Sequence, residues 1–137
     1  MSTISILESL KNFCKEKVTK DIKLQKPDNN VNNYELVNPA VHIGWIPPKG
    51  FLPEELDVAI PCLIVGLDEA SDDSMDATYN IRISAVVYSP GLHQPDKTGK
   101  IIYQPDFQGY RDLVNLIDKT IAQLKKHRTV CEYASIQ

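Results

Sequence analysis

Three histidines, three cysteines and a cluster of carboxylates are the side chains of this 137-residue chain whose types suggest chemistry. A nucleophilic triad needs a serine or cysteine, a base and an orienting acid. The available bases are His42 in a strand-like segment, His93 in a Pro- and Gly-rich loop and His127 at the basic end of a helix, and none lies in a recognisable motif. Cys14, Cys62 and Cys131 are odd in number and far apart, which fits neither a disulfide framework nor a paired metal site. They read as small core hydrophobes. The acidic stretch Asp68, Glu69, Asp72, Asp73 and Asp76 has the composition of a calcium loop, but lacks the glycine at its sixth position and the glutamate at its twelfth. It reads as a solvated hairpin turn. The segment before the last helix, Gln104 to Gly109, lacks the glycines and the lysine that cradle phosphates. The expectation is a chain with no catalytic residue, no metal site and no cofactor, and therefore not an enzyme.

The elements around these residues are better specified than any chemistry. Ala77, Tyr79, Ile81, Ile83, Ala85 and Val87 alternate with Thr78, Asn80, Arg82 and Ser84, the period of a strand with one packed and one wet face. Upstream, the run from Asp57 to Leu67 is nearly all apolar after its first residue and predicts a strand over Cys62 to Leu67, covered on both faces at least locally. Pro61 cannot donate to a ladder, so it begins the paired part or sits where no donor is needed. The polar stretch Asp68 to Ser74 links the two strands as an antiparallel hairpin. From Gly109 to Lys126, Tyr110, Leu113, Val114, Ile117, Ile121 and Leu124 form a helical stripe expected to face the core. Lys125, Lys126, His127 and Arg128 at its end complement the helix dipole, and Asp106 after Pro105 is the expected N-cap.

Thr3 to Lys20 predicts a first helix with Ile6, Leu10, Phe13 and Cys14 inward and a lysine-rich outer face. Residues 26–39 read as an Asn-rich loop, Ala40 to Ile46 as a strand ended by Pro47-Pro48, and Pro53-Glu54-Glu55 as a short helical turn. Trp45 beside these breakers either packs the sheet edge or anchors a protein interface. Ser89 to Phe107 is long for a connection. Within it Lys100 to Tyr103 forms a small strand, or orders only against a neighbouring subunit. Thr129 to Ile136 alternates weakly and is expected to close the sheet.

With 42% hydrophobic and 24% charged residues, the composition is that of one soluble domain spanning residues 1–137. A formal charge of -3 gives no basic footprint for nucleic acid. No run reaches the ~18–20 apolar residues of a membrane span, and the N-terminus lacks the pattern of a secretory signal, so the chain is expected in the cytoplasm where it is made. The fold class expected is α+β, a mainly antiparallel sheet of about four strands against an N-terminal and a C-terminal helix.

The order of these elements, with the strand after Ile60-Pro61, the strand ending Val86-Val87-Tyr88-Ser89 and the helix start Gly109-Tyr110-Arg111-Asp112-Leu113, resembles the phage tail terminator or tail-completion family. Similar small proteins cap phage-derived contractile particles such as tailocins and related contractile injection systems. The resemblance implies a structural subunit that forms a ring, a hexamer of itself, on the head-proximal end of a tail tube. Its partners would be the tail tube protein and the sheath or head-completion protein, within a virion or tail-like particle assembled in the bacterial cytoplasm. The chain departs from the family pattern in its longer 89–107 loop and in ending soon after the last apolar stretch.

Two alternatives stand beside this reading. One is a head-tail connector or baseplate component. The other is a small enzyme or ligand-binding module with the 89–107 loop as a lid over a pocket. For an interaction surface the candidates are Trp45, Arg82, Leu92, His93, Ile101 and Tyr103.

Overall fold

A computed structural model describes residues 2–28, 35–48, 50–52, 59–104, 106–131 and 134–136 and has an α+β fold. Helix α1 (Thr3–Lys17) starts at Ser2, which is extended and accepts the Ser5 N–H at 3.3 Å, a side-chain cap for an otherwise unpaired donor. Ile6, Leu7, Leu10, Phe13 and Cys14 are buried along one stripe. The helix stops at Lys17 rather than Lys20, because Val18 and Thr19 are drawn into the core and the chain tightens into a 3-10 turn over Thr19–Asp21. Asn38 secures that end, its Nδ2 lying 2.8, 3.0 and 3.0 Å from the carbonyl oxygens of Thr19, Lys20 and Ile22.

A two-stranded antiparallel ribbon, β1 (Leu24–Gln25) with β2 (Leu36–Val37), leads to the central sheet of β3 (Ala40–Ile43), β4 (Cys62–Asp72) and β5 (Ala77–Val86), in the order β3-β4-β5. The β4–β5 pair is antiparallel, as expected from sequence, whereas β3 runs parallel to β4. The parallel pair is closed at its ends by the Ala40 N–H on the Pro61 oxygen and the Gly44 N–H on the Val65 oxygen, each at 2.9 Å. Pro61 thus stands where the paired strand begins and uses only its acceptor. Cys62 and Leu63 are both buried, so β4 is covered on both faces at its start. Leu63 and Val65 join Val41 and the α1 stripe in one core, against which Tyr79, Ile81, Ile83, Ala85 and Val87 pack from β5.

Among the strands, three differences from the sequence expectation stand out. First, β4 does not end at Leu67 but continues through the acidic residues to Asp72, with a bulge between Leu67 and Glu69. The turn proper is residues 73–76. Polar side chains are poor strand formers, yet the ladder is a backbone interaction, and the long β5 supplies a partner for every acidic position it faces. Second, the described residues of the segment expected to close the sheet do not join it; β8 (Thr129–Cys131) and β9 (Ala134–Ser135) pair with each other instead, β8 lying beside α1. Third, the 89–107 segment carries its own antiparallel hairpin, β6 (Leu92–Pro95) with β7 (Ile101–Gln104), so β7 pairs within the chain. The class is the expected one, but among the described residues the central sheet has three strands, not about four, and the other pairs form separate sheets. The helical turn expected at 53–55 and the core of the Asn-rich loop, 29–34, lie outside the described residues.

Helix α2 (Gln108–Lys126) has its basic end where the dipole favours it, with Lys125 and Lys126 in its last turn. Asp106 accepts the Gln108 N–H at 3.1 Å, but the capping position is Phe107, in the left-handed region at φ 57°. The buried face is Gly109, Leu116 and Thr120, while Tyr110, Ile117 and Ile121 are exposed. At 3.6 residues per turn this buried stripe lies about 100° round the helix from the expected one. The cause is close approach at the first turn: a Cβ on Gly109 would run into the Cβ and Oγ of Ser89, which follows β5. That contact turns the glycine side of α2 inward. Gly109→Ala should therefore cost about 1–3 kcal/mol of stability, read as a lowered thermal midpoint by circular dichroism; an unchanged midpoint would mean that α2 does not sit this close to Ser89.

Candidate functional site

β3 ends at Ile43, opposite Val65, while β4 runs on to Asp72. From Gly66 to Asp72, β4 therefore has a strand neighbour on one side only among the described residues, and with β5 it forms a two-stranded arm beyond the three-stranded part of the sheet. Residues 67–78 are exposed. The free edge presents a row of unpaired backbone N–H and C=O groups, the template on which another chain can add a strand. Asp68, Glu69, Asp72, Asp73 and Asp76 make this arm acidic. Its strands are tied across by Arg82 Nη2 to Asp68 Oδ1 at 3.0 Å and by Asn80 Nδ2 to Glu69 Oε2 at 3.5 Å. Both ions of the first pair are solvated, so its contribution is at most about 1 kcal/mol.

The tip is closed by carboxylates accepting backbone donors. Asp72 Oδ1 takes the Ser74 N–H at 2.9 Å, and Asp73 Oδ1 takes those of Met75 at 3.1 Å and Asp76 at 2.7 Å. The donors of Asp76 and Met75 hold the Asp73 carboxyl below the usual carboxylate range. The turn of the β6–β7 hairpin repeats the device. Asp96 Oδ1 accepts from the Thr98 hydroxyl at 2.6 Å, the Thr98 N–H at 2.8 Å and the Lys100 N–H at 3.0 Å, and its carboxyl is likewise held low. These acids are occupied in turn geometry, and among the described residues no group of three His, Cys, Asp or Glu could hold a metal ion.

The six candidate interface residues fall into two groups. Trp45 and Arg82 belong to the central sheet. Trp45 follows β3, is 75% exposed, and does not pack the sheet edge as a buried residue would. Arg82 lies opposite Gly66, where the arm begins. Leu92, His93, Ile101 and Tyr103 are brought together on the β6–β7 hairpin, where His93 pairs with Tyr103 and Pro95 with Ile101. The His93 and Tyr103 rings are 5.3 Å apart, and His93 Nε2 lies 2.8 Å from the Pro90 oxygen. Ile101, Ile102 and Tyr103 are all exposed. Sequence reasoning missed an exposed apolar row, Tyr110, Ile117 and Ile121 on α2 with Phe107 just before it, because it assigned the helical stripe to the core. The apolar residues of α2 span an arc of about 160° at 100° per residue, wider than one packed face, and that width was the available signal.

The histidines do not converge. His42 is buried in β3 with Nε2 2.9 Å from the Ala59 oxygen, and His127 stacks edge-on to Phe13 at 6.0 Å. Burial pushes the thiols of Cys14 and Cys62 up to about 11, which keeps them protonated and poorly nucleophilic. A cleft of about 310 Å³ opens between β1–β2 and the start of α2, with Lys23, Tyr88, Asp106 and Asp112 on its wall. No helix among the described residues is long and apolar enough to cross a membrane. Comparisons of the chain with protein-family models, with curated proteins and with solved structures each returned no match.

Two measurements check this description. Since the Asp73 carboxyl is held low, its stabilisation of the arm tip is complete above the unfolded value of ~3.9 and is lost as the pH falls through the lower folded value. An NMR titration of the Asp73 carboxyl carbon should have its midpoint below ~3.9, and a midpoint at or above that value would show that the turn is not closed in this way. Alkylation of the native protein at pH 8 should leave Cys14 and Cys62 unmodified, and both should label once the chain is unfolded. Rapid native labelling of either would contradict their burial.

Proposed function

We propose that the chain is a structural ring subunit that caps the head-proximal end of a phage or phage-like tail tube, stopping its polymerisation and offering a joining surface above it. The observation that carries the reading is the β4–β5 arm, a solvated pair of strands whose β4 edge is open among the described residues. Such an edge is a liability in a free monomer and an asset in a subunit that pairs with its neighbour. The arm is acidic, and a separate region, the end of α1 and the turn after it, presents exposed Lys15, Lys17, Lys20 and Lys23 beside Glu16 and Asp21. Opposite charge on two distinct surfaces of one chain suits a head-to-tail contact, and head-to-tail contacts that close under rotation give rings. The mechanism is geometric: one face matches the last tube ring, and the other offers no site for the next. Partners in this reading are other copies of the chain, six to a ring, the tube protein, and the sheath or head-completion protein.

Electron microscopy of the purified chain, alone and with tube protein, should show rings and tubes that cease to lengthen. Glu69→Lys with Asp72→Lys should weaken ring formation at low salt while leaving the fold intact by circular dichroism. A chain that forms no rings and leaves tube length unchanged at saturating concentration would exclude the capping role.

A further inference from the structure

The exposed stripe of α2 has a regularity that packing onto the sheet does not use. Tyr110, Val114, Ile117 and Ile121 follow one another at intervals of four, three and four residues, the seam of a coiled coil; Leu124 continues the spacing but packs against the core, and Phe107 precedes the helix in the left-handed region. Phe107 and Tyr110 are each 68% exposed, Ile117 40% and Ile121 46%, and Val114 and Leu124 are half-buried. The face that does pack inward, Gly109, Leu116 and Thr120, lies round the helix from this seam. Exposed apolar side chains in contiguous rows on a small domain mark a contact surface.

The charges beside the seam say what the contact is. Arg111, Asp118 and Lys125 stand one residue after the seam positions Tyr110, Ile117 and Leu124, all on the same flank and all exposed. Arg111 and Asp118 are two helical turns apart, too far to pair within the helix, and neither has an ion-pair partner among the described residues. When a second α2 is laid antiparallel across the seam, Tyr110 meets Ile121 and Val114 meets Ile117 of the other copy. The same register sets each Arg111 against the other copy's Asp118, twice about the two-fold axis. In a parallel arrangement the two copies' Arg111–Asp118–Lys125 flanks fall on opposite sides of the seam, and Asp118 meets Leu113 of the other copy rather than a charge.

We infer that α2 pairs with the α2 of a second copy of this chain as an antiparallel two-helix seam, held apolar at its centre and set in register by the reciprocal Arg111 and Asp118 contacts. The contact is isologous and closes on itself, so it is distinct from a head-to-tail ring contact through the arm and does not rest on the tube-capping reading. Phe107 stands exposed immediately before the helix, at the Tyr110 end of the seam, with its backbone at φ 57°, a conformation that favours glycine.

Sedimentation velocity of the full chain over a range of concentrations tests this. The wild type should show a reversible association step that Arg111→Glu and Asp118→Arg each weaken, by roughly 10-fold in dissociation constant at low salt. The double variant Arg111→Glu with Asp118→Arg should restore it to within about 3-fold, since only a partner carrying both positions can be repaired this way. Phe107→Gly should weaken the same step while leaving the thermal midpoint unchanged or raised, which separates association from folding. A chain that stays monomeric throughout, an association indifferent to the single swaps, or a double variant no better than either single would each overturn the inference. Retention of a different protein on this face, with no self-association step, would do the same. Loss of the charge-swap pattern with tube capping intact would remove this contact alone; loss of capping with the swap pattern intact would remove only the functional reading.

Discussion

The pairing of β4 with a parallel neighbour on one side and an antiparallel neighbour on the other positions everything else in the molecule. On the β3 side the ladder runs from Ala40 opposite Cys62 to Ile43 opposite Val65; on the β5 side it runs from Cys62 opposite Val86 to Asp72 opposite Ala77. Because side chains alternate across a strand, these registers place Val41, Leu63, Val65, Ile83 and Ala85 on one face. That face is what α1 covers with Ile6, Leu10 and Phe13. A one-residue slip of β4 would turn Leu63 and Val65 away from α1 and present Cys62 and Ile64 to it.

The unequal lengths of the two ladders give the molecule its outward form. Where β3 stops, β4 and β5 continue as a pair; Tyr79 and Ile81 still pack against the core from β5, while residues 67–78 are exposed and mostly polar. The carboxylates that suggest a cation loop by composition are taken up by turn N–H groups and by Arg82. His42 is likewise taken up by a backbone carbonyl behind β3, and the thiols by burial. Among the described residues, these side chains are held in turns, ladders and the core rather than brought together.

Helix α2 shows how one constraint redirects an entire surface. Its apolar residues fill a broad arc, and either edge of that arc would serve as a core stripe. The absence of a side chain at Gly109 lets the first turn approach Ser89 and selects the edge carrying Leu116 and Thr120. The other edge, with Tyr110 and Ile121, is left to solvent or to a partner.

Local pattern was enough to determine the helices, the two long strands, their antiparallel pairing and the packed face of β5. Each follows from a period of 3.6 or 2 within a single segment, and a period is complete without knowledge of its surroundings. The buried state of Cys14 was legible from its place on the helical stripe with Leu10 and Phe13, and that of Cys62 from the apolar run it begins. The tertiary structure alone decided that β3 is parallel to β4, that the acidic residues extend a strand, that β6 and β7 pair with each other, and which edge of α2 is inside. These depend on what lies across a ladder or against a helix turn. Phe107 and Tyr110 carry no mark in the chain that distinguishes them from core residues; only the contact between Gly109 and Ser89, twenty residues apart, places them on the surface.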